Sequence, residues 1–116
     1  MYDDNNIFAK ILREEIPCNK VYEDEHSLFF HDISPQAKIH VLGIPKIPCI
    51  NFYDFISRSD SEHTHSFFNS IKIVIDKLNI KEEGFRIITN SGLNGGQEVP
   101  HFHIHILAGE KIGSFR

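Results

Sequence analysis

Three histidines near the C-terminus alternate with large apolar residues in the segment PHFHIHIL, residues 100–107. Successive side chains of a β-strand point to opposite faces, so a strand here would place His101, His103 and His105 on one face. Imidazole is the side chain best suited to nucleophilic or acid–base work near neutral pH. The spacing therefore predicts a reaction centre on that face.

A glycine-rich loop, NSGLNGGQ at residues 90–97, leads directly into the histidine segment. Glycines allow backbone conformations with positive φ and bring backbone amides close to a ligand. Such amides bind anions, phosphate especially. A glycine-rich loop alone is most often only a turn, but its position beside three histidines favours phosphoryl or nucleotidyl transfer.

Nucleotidyl transfer assigns distinct tasks to the three imidazoles. A neutral imidazole attacks phosphorus through one nitrogen, while its other nitrogen must hold a proton against an acceptor. Flanking histidines can donate hydrogen bonds to phosphate oxygens, and one can protonate the leaving group. A carboxylate at a strand end, such as Asp32, can accept hydrogen bonds from a ribose diol, although a carboxylate that caps a turn is the commoner case.

Two other interpretations of the triad remain open at this point. The histidines could form the polar face of a half-buried strand. Two of them could instead bind Zn²⁺ with His40, from another strand, as a third ligand. No acidic residue or cysteine alternates with the triad, which weakens the metal hypothesis.

Composition narrows the class of protein. The chain has 116 residues, enough for one domain spanning residues 1–116, and a formal net charge of -4. The absence of a basic stripe argues against long nucleic acid as the main partner. The polar, acidic first residues are unlike a signal peptide, and no run approaches the roughly 20 apolar residues of a membrane span. Cys18 and Cys49 lie far apart, which predicts free thiols in the cytoplasm.

Apolar spacing and turn residues predict the elements that must position the triad. Helical spacing indicates a short helix over residues 7–13 and a long helix carrying an apolar stripe from Phe67 to Leu78, and residues 51–56 could form a further short helix. Ser59 and Glu62 have the spacing of a capping box for the long helix. Strands are predicted over residues 21–24, 27–32, 39–44, 85–89 and the histidine segment. This order is typical of an α+β fold with a mostly antiparallel sheet.

In its histidine motif and neighbouring segments, the chain closely resembles the histidine triad (HIT) superfamily, in particular its Hint branch of nucleoside phosphoramidate hydrolases. The family motif His-φ-His-φ-His-φ-φ, with φ apolar, is matched from His101 to Leu107. Residues 30–37, FHDISPQA, resemble the nucleotide-binding strand and turn of Hint proteins, and residues 95–97, GGQ, resemble their phosphate loop. The similarity extends from about Ile7 to Gly109.

The resemblance implies a role for each matching residue. His103 would be the nucleophile, His105 would contact the α-phosphate, and His101 and His40 would form a supporting relay behind His103. Asp32 would bind the ribose hydroxyls. The purine and sugar would be surrounded by Ile7, Phe8, Ile11, Phe30, His31 and Ile33. The phosphate would be bound, or its loop shaped, by Asn90, Gly96, Gln97, Glu98 and Val99, with Glu98 standing where many Hint proteins have Ser or Thr.

The resemblance also implies the fold and the partners. We expect a five-stranded antiparallel sheet with one long and one short helix, and a homodimer in which the sheet continues across the two-fold axis. The substrate would be a purine nucleotide, with no metal or cofactor and no nucleic acid or membrane partner. The expected reaction is hydrolysis of a purine nucleoside 5'-phosphoramidate. The alternatives are a nucleotide-binding regulatory module with weak hydrolysis and a dinucleoside polyphosphate hydrolase of the Fhit-like branch.

Overall fold

The computed structural model describes residues 1–114, which form an antiparallel sheet of five strands and three helices. The strand order is β1-β2-β3-β5-β4, and every neighbouring pair is antiparallel. The strands are β1 Lys20–Glu23, β2 Ser27–His31, β3 Ile39–Pro45, β4 Phe85–Ile88 and β5 Ile104–Ala108. The helices are α1 Ile7–Leu12, α2 Phe52–Arg58 and α3 Ser61–Leu78, so a second short helix accompanies the long and the short helix of the expected fold.

Short polar side chains begin each helix by accepting a hydrogen bond from an otherwise unpaired backbone amide. The Asn6 side chain caps α1 in this way, and Asn51 caps α2. The predicted capping box at the start of α3 is wrong. Ser59 lies at the C-cap of α2, and it is the Asp60 carboxylate that accepts a hydrogen bond from the His63 amide, at 2.8 Å.

The sheet buries side chains on both faces. On one face, β3 and β5 pack against the long helix through residues such as Phe67 and Val74. On the other, the short helix α1 packs Phe8 and Ile11 against Phe30 of β2. Because α1 lies on the face of the sheet that carries the triad histidines, it covers side chains on that face and removes them from water.

The histidine segment only partly matches the predicted strand. Ladder pairing begins at Ile104, so His105 belongs to β5 while His101 and His103 precede it. The alternation persists without the ladder, because Phe102 and Ile104 lie in the core that includes the long helix. Backbone hydrogen bonds outside the sheet hold this stretch, including one from the Phe102 amide to the Cys49 carbonyl, 2.9 Å. Within residues 1–114, no helix has the length and apolarity to cross a membrane.

Candidate active site

A cavity of about 440 Å³ opens where β2, β3, the glycine-rich loop and the histidine segment meet. It combines two histidines of the triad with a third from β3 and a carboxylate from the end of β2. Its wall is formed by Phe8, Asp32, Ser34, Gln36, His40, Leu42, Asn90, Gly96, Glu98, Val99, His103 and His105. The topology therefore brings together most of the residues that the sequence placed at a nucleotide site.

The remaining predicted residues lie outside the cavity wall. Phe30 and Ile11 are buried in the core between β2 and α1, and Ile7 and His31 are exposed. Ile33 is 94% exposed beyond the end of β2. Gln97 braces the glycine-rich loop and His101 lies behind the other two triad histidines, as described below.

The hydrogen bonds of His103 determine which of its ring nitrogens carries the proton. Nδ1 lies 2.7 Å from the backbone carbonyl oxygen of His101, which can only accept, so Nδ1 is protonated. Nε2 therefore carries a lone pair, the form that attacks an electrophile. The Thr89 hydroxyl donates to the His103 carbonyl at 2.7 Å and fixes the backbone from the β4 side.

The hydrogen bond between His101 and His103 is made by the His101 backbone and not by its imidazole. Its ring is fully buried, and its Nε2 donates to the Pro45 carbonyl at 2.9 Å. Its Nδ1 accepts a hydrogen bond from the Tyr2 hydroxyl at 2.6 Å. The resemblance implied that His101 belongs to a relay behind His103. In the structure, the atom of His101 that contacts His103 is its carbonyl oxygen.

His40 lies beside His105, whereas the resemblance implied a place behind His103. The Gln36 amide donates to His40 Nδ1 at 3.0 Å, so the His40 proton is on Nε2. Nε2 lies 2.9 Å from His105 Nδ1 and donates to it. His105 then carries its own proton on Nε2 and can donate it to a phosphate oxygen. The register explains this pairing, because His40 is opposite Leu107 and is the diagonal neighbour of His105.

Asp32 has one oxygen committed to the protein and one turned towards His40. Its Oδ1 accepts a hydrogen bond from the Ser34 amide at 2.7 Å, as in an Asx turn. Its Oδ2 lies 3.4 Å from His40 Nε2. Asp32 thus combines the turn-capping role with a position on the cavity wall, from which it can accept a hydrogen bond from a ligand hydroxyl.

The same residues provide the test of the metal hypothesis. Asp32, His40 and His105 place ligand atoms within 4.8 Å of one another, close enough for one cation. A metal-binding imidazole nitrogen must present a lone pair, and its other nitrogen donates to an acceptor. His40 has the opposite arrangement, because its Nδ1 faces a backbone N–H donor and its Nε2 carries the proton. These hydrogen bonds favour a proton-bearing histidine pair over a metal site.

Burial keeps the site histidines neutral. It lowers the pKa of His101 to about 4, and it lowers that of His105 to about 4. Burial also lowers the pKa of His103, partly opposed by the His101 carbonyl, and that of His40, opposed by the Asp32 carboxylate. Desolvation disfavours the charged imidazolium in each case. At neutral pH, the His103 side chain is therefore a neutral imidazole with its proton on Nδ1 and a lone pair on Nε2.

The glycine-rich loop is held by its own side chains. Asn90 Nδ2 donates to the Gly95 carbonyl at 2.7 Å, and Gln97 Oε1 accepts from the Gly92 amide at 3.0 Å. Gln97 Nε2 donates to the Ile50 carbonyl at 2.7 Å, which ties the loop to the segment before α2. Gly96 has φ of 74°, a conformation that favours glycine. The loop thereby presents Gly96 to the cavity, together with the exposed carboxylate of Glu98.

Several residues of the site escaped the sequence analysis. Gln36 acts through its backbone amide, for which its residue type gives no signal. Thr89 and Tyr2 reach the triad only through tertiary contacts, and Tyr2 is 99 positions from His101. The sequence signal that could have found Gln36 was its place in the turn after Asp32. It lies two residues after Ser34, whose amide donates to the Asp32 carboxylate.

Comparisons with known proteins give consistent matches to one family. The HIT domain family model matches residues 13–112. A HIT-like protein of Azospirillum brasilense is 47% identical over 112 residues, covering 97% of this chain and 92% of that protein. The purine nucleoside phosphoramidase of Escherichia coli K12 is 39% identical over 115 residues, with coverages of 95% and 92%. The structure of a HIT family hydrolase from Clostridium thermocellum superposes with a TM-score of 0.83 at 34% identity, covering 97% of each chain.

Proposed function

Because the chain belongs to the HIT domain family, we propose that it hydrolyses purine nucleoside 5'-phosphoramidates through a nucleotidyl-histidine intermediate. The observation that carries this proposal is the tautomer of His103. Its Nδ1–H is held by a carbonyl and its Nε2 lone pair is available on a histidine that lines the cavity. A relative at 39% identity bears the name purine nucleoside phosphoramidase, which supports the choice of substrate.

The reaction proceeds in two displacements at the α-phosphorus. His103 Nε2 attacks, the P–N bond breaks, and the amine leaves with a proton taken from solvent. The Nε2–H of His105 donates to a phosphate oxygen as charge develops there. Water then attacks the adduct, and His103 leaves as neutral imidazole with release of a nucleoside monophosphate and a proton. His103 Nδ1–H stays hydrogen-bonded to the His101 carbonyl oxygen throughout, so the same tautomer is present after each turnover.

The charge of the cavity supports a phosphoramidate over a dinucleoside polyphosphate. Asp32 and Glu98 line it, and among the described residues of its wall there is no lysine or arginine. A phosphoramidate brings one negative charge into the cavity, and its leaving group is a neutral amine. A polyphosphate brings several negative charges into the same space. Like charges disfavour the second substrate.

The experiment that tests the proposed function is a substrate panel with purified protein in buffer containing a chelator. Adenosine and guanosine 5'-phosphoramidates should yield the nucleoside monophosphate and ammonia, and diadenosine polyphosphates should react more slowly. Trace turnover with retained AMP binding would contradict the hydrolase and favour a binding module. Loss of activity on chelation would contradict the metal-free mechanism.

Substitution of Glu98 by glutamine should reduce the preference for phosphoramidates over dinucleoside polyphosphates. Removing one nearby negative charge should raise kcat/KM for a diadenosine polyphosphate relative to that for adenosine phosphoramidate about fivefold at low ionic strength. The effect should shrink at high salt, since exposed charges are screened. Glu82→Gln, an exposed carboxylate that does not line the cavity, serves as the matched control. An unchanged substrate ratio in Glu98→Gln would contradict the electrostatic argument.

The proposal includes a homodimer formed through the edge of the sheet. β4 is an outer strand of the sheet order, and its Phe85 and Ile87 are 39% and 42% exposed. An exposed apolar edge strand is a template for pairing with a second copy. Light scattering should give the mass of two chains, and Ile87→Lys should give monomers. Leu93→Lys, in the exposed loop, is the control, and a monomeric wild-type protein would contradict the proposal.

The free thiols of Cys18 and Cys49 support a location in the cytoplasm, where disulfides are rare.

A further inference from the structure

The N-terminal segment reaches the buried side of the triad, where the Tyr2 hydroxyl is hydrogen-bonded to His101. Tyr2 Oη lies 2.6 Å from His101 Nδ1, and the two rings meet edge to face with centroids 5.6 Å apart. We propose that Tyr2 is a positioning residue for the reaction, acting through His101 on the nucleophile His103. This inference rests on the proposed function, and it concerns a residue outside the histidine motif and the cavity wall.

The first step of the argument concerns the His101 ring, which is fully buried. A buried imidazole needs a partner for each nitrogen, because an unpaired buried polar group is unfavourable. The Pro45 carbonyl accepts from Nε2, and the only hydrogen bond found for Nδ1 within residues 1–114 is the one from Tyr2. Two bonds to opposite sides of the ring determine its rotation about χ2, and Tyr2 supplies one of them.

The second step links the His101 ring to its own backbone. The His101 amide donates to the Val99 carbonyl at 2.9 Å, and its carbonyl accepts from His103 Nδ1 at 2.7 Å. This stretch precedes β5, so no ladder bonds hold it. The peptide that orients the nucleophile is held on one side by the bond from the Phe102 amide to the Cys49 carbonyl, and on the other by the contacts of the His101 ring with Tyr2 and Pro45.

The third step concerns what else could hold the ring. Phe8 packs edge-on against both histidines, with centroid distances of 6.5 Å to His101 and 4.9 Å to His103, and gives shape without hydrogen bonds. Behind His101 lies a small cavity of about 170 Å³ that Tyr2 partly closes. Loss of the hydroxyl would leave His101 Nδ1 facing this space without a donor.

The charged groups near this small cavity do not substitute for the hydroxyl. Asp4, Arg13 and Lys46 line it together with His101. Arg13 is engaged with Glu15 and with the Asp4 carbonyl, and Lys46 pairs with Glu23 at 2.7 Å. Both cations are hydrogen-bond donors, as His101 Nδ1 requires, but their N–H groups are engaged with these other partners.

The test compares Tyr2→Phe with the wild-type protein. The phenylalanine ring keeps the packing and removes only the hydroxyl. A small misplacement of a nucleophile lowers the rate of the chemical step without changing binding, so the rate of adduct formation on adenosine phosphoramidate should fall about tenfold. KM and the affinity for AMP should stay within about twofold of wild type. Tyr53→Phe, at an exposed position on α2, is the matched control and should behave as wild type.

A spectroscopic measurement separates positioning from general stability. In the wild-type protein, ¹⁵N imidazole spectra should show His103 as a single Nδ1–H tautomer with a slowly exchanging proton. In Tyr2→Phe, that proton should exchange faster and the second tautomer should appear while the protein is still folded, although the unpaired His101 Nδ1 should lower the melting temperature by several degrees. An unchanged tautomer and an unchanged adduct rate would overturn the proposal, and so would a rate loss that merely follows the loss of folded protein.

Failure of the proposed function gives a different result. If wild-type protein hydrolyses no phosphoramidate, the proposed reaction is wrong, while the tautomer spectra still decide the role of Tyr2. If Tyr2→Phe does not fold, the wild-type hydroxyl proton provides the test. It should exchange slowly and show a nuclear Overhauser effect to the His101 ring, and a freely exchanging Tyr2 hydroxyl would overturn the proposal.

Discussion

Replacement of His103 by alanine is expected to abolish phosphoramidate hydrolysis, lowering kcat by about 10⁴-fold or more. The reason is that, of the four histidines at the site, His103 is the one that combines an available Nε2 lone pair with a protonated Nδ1 held by a backbone carbonyl. His105 cannot replace it, because its Nδ1 accepts from His40 and its Nε2 carries the proton. Mass spectrometry of protein quenched during turnover should show the nucleotidyl adduct in wild type and none in His103→Ala.

The matched control for this variant is His65→Ala, which removes an exposed histidine from α3. It should retain full activity and form the adduct. His103→Ala should also keep the affinity of the cavity for AMP within about an order of magnitude, because Asp32 and the loop remain. Turnover at the wild-type rate in purified His103→Ala would disprove the nucleotidyl-histidine mechanism.

The second expected result is a steep loss of stability as pH falls from about 6.5 to 4. His40, His101, His103 and His105 all have lowered pKa values in the folded protein because they are buried. In this window the unfolded chain binds protons that the native protein does not, so the free energy of unfolding decreases as pH falls. For His101, whose pKa falls from 6.5 to about 4, the linkage amounts to about 3 kcal/mol.

Urea unfolding at a series of pH values measures this effect. The stability of the wild-type protein should drop by several kcal/mol between about pH 7 and pH 4.5, a large part of the total for a domain of this size. His63 acts in the opposite direction, since Asp60 raises its pKa, but it lies at the surface, where solvent screens the pair, and contributes little. His103→Ala should flatten the pH dependence and His65→Ala should not. Equal stability at both ends of the range would contradict neutral, buried histidines.

The residue types and the alternation of the candidate active site could be predicted from the sequence. The faces of Phe102 and Ile104 follow from local backbone geometry, which places successive side chains on opposite sides even where no ladder forms. The apolar stripe of α3 and the antiparallel α+β fold were predicted for the same reason, since periodicity is a local property. The error at Ser59 and Glu62 arose because neighbouring polar residues compete for one cap, and Asp60 occupies it.

The protonation state of each histidine could not be predicted, because it depends on partners that are remote in sequence. His105 meets His40 across 65 positions, and the His101 ring meets Pro45 across 56. An isolated imidazole can carry its proton on either nitrogen, and a carbonyl or an amide on one side selects between them. The sequence thus identified three histidines suited to phosphoryl chemistry. Tertiary contacts alone distinguish the imidazole with a free Nε2 lone pair, the imidazole that presents an N–H and the buried imidazole, since only they bring an acceptor to one nitrogen and a donor to another.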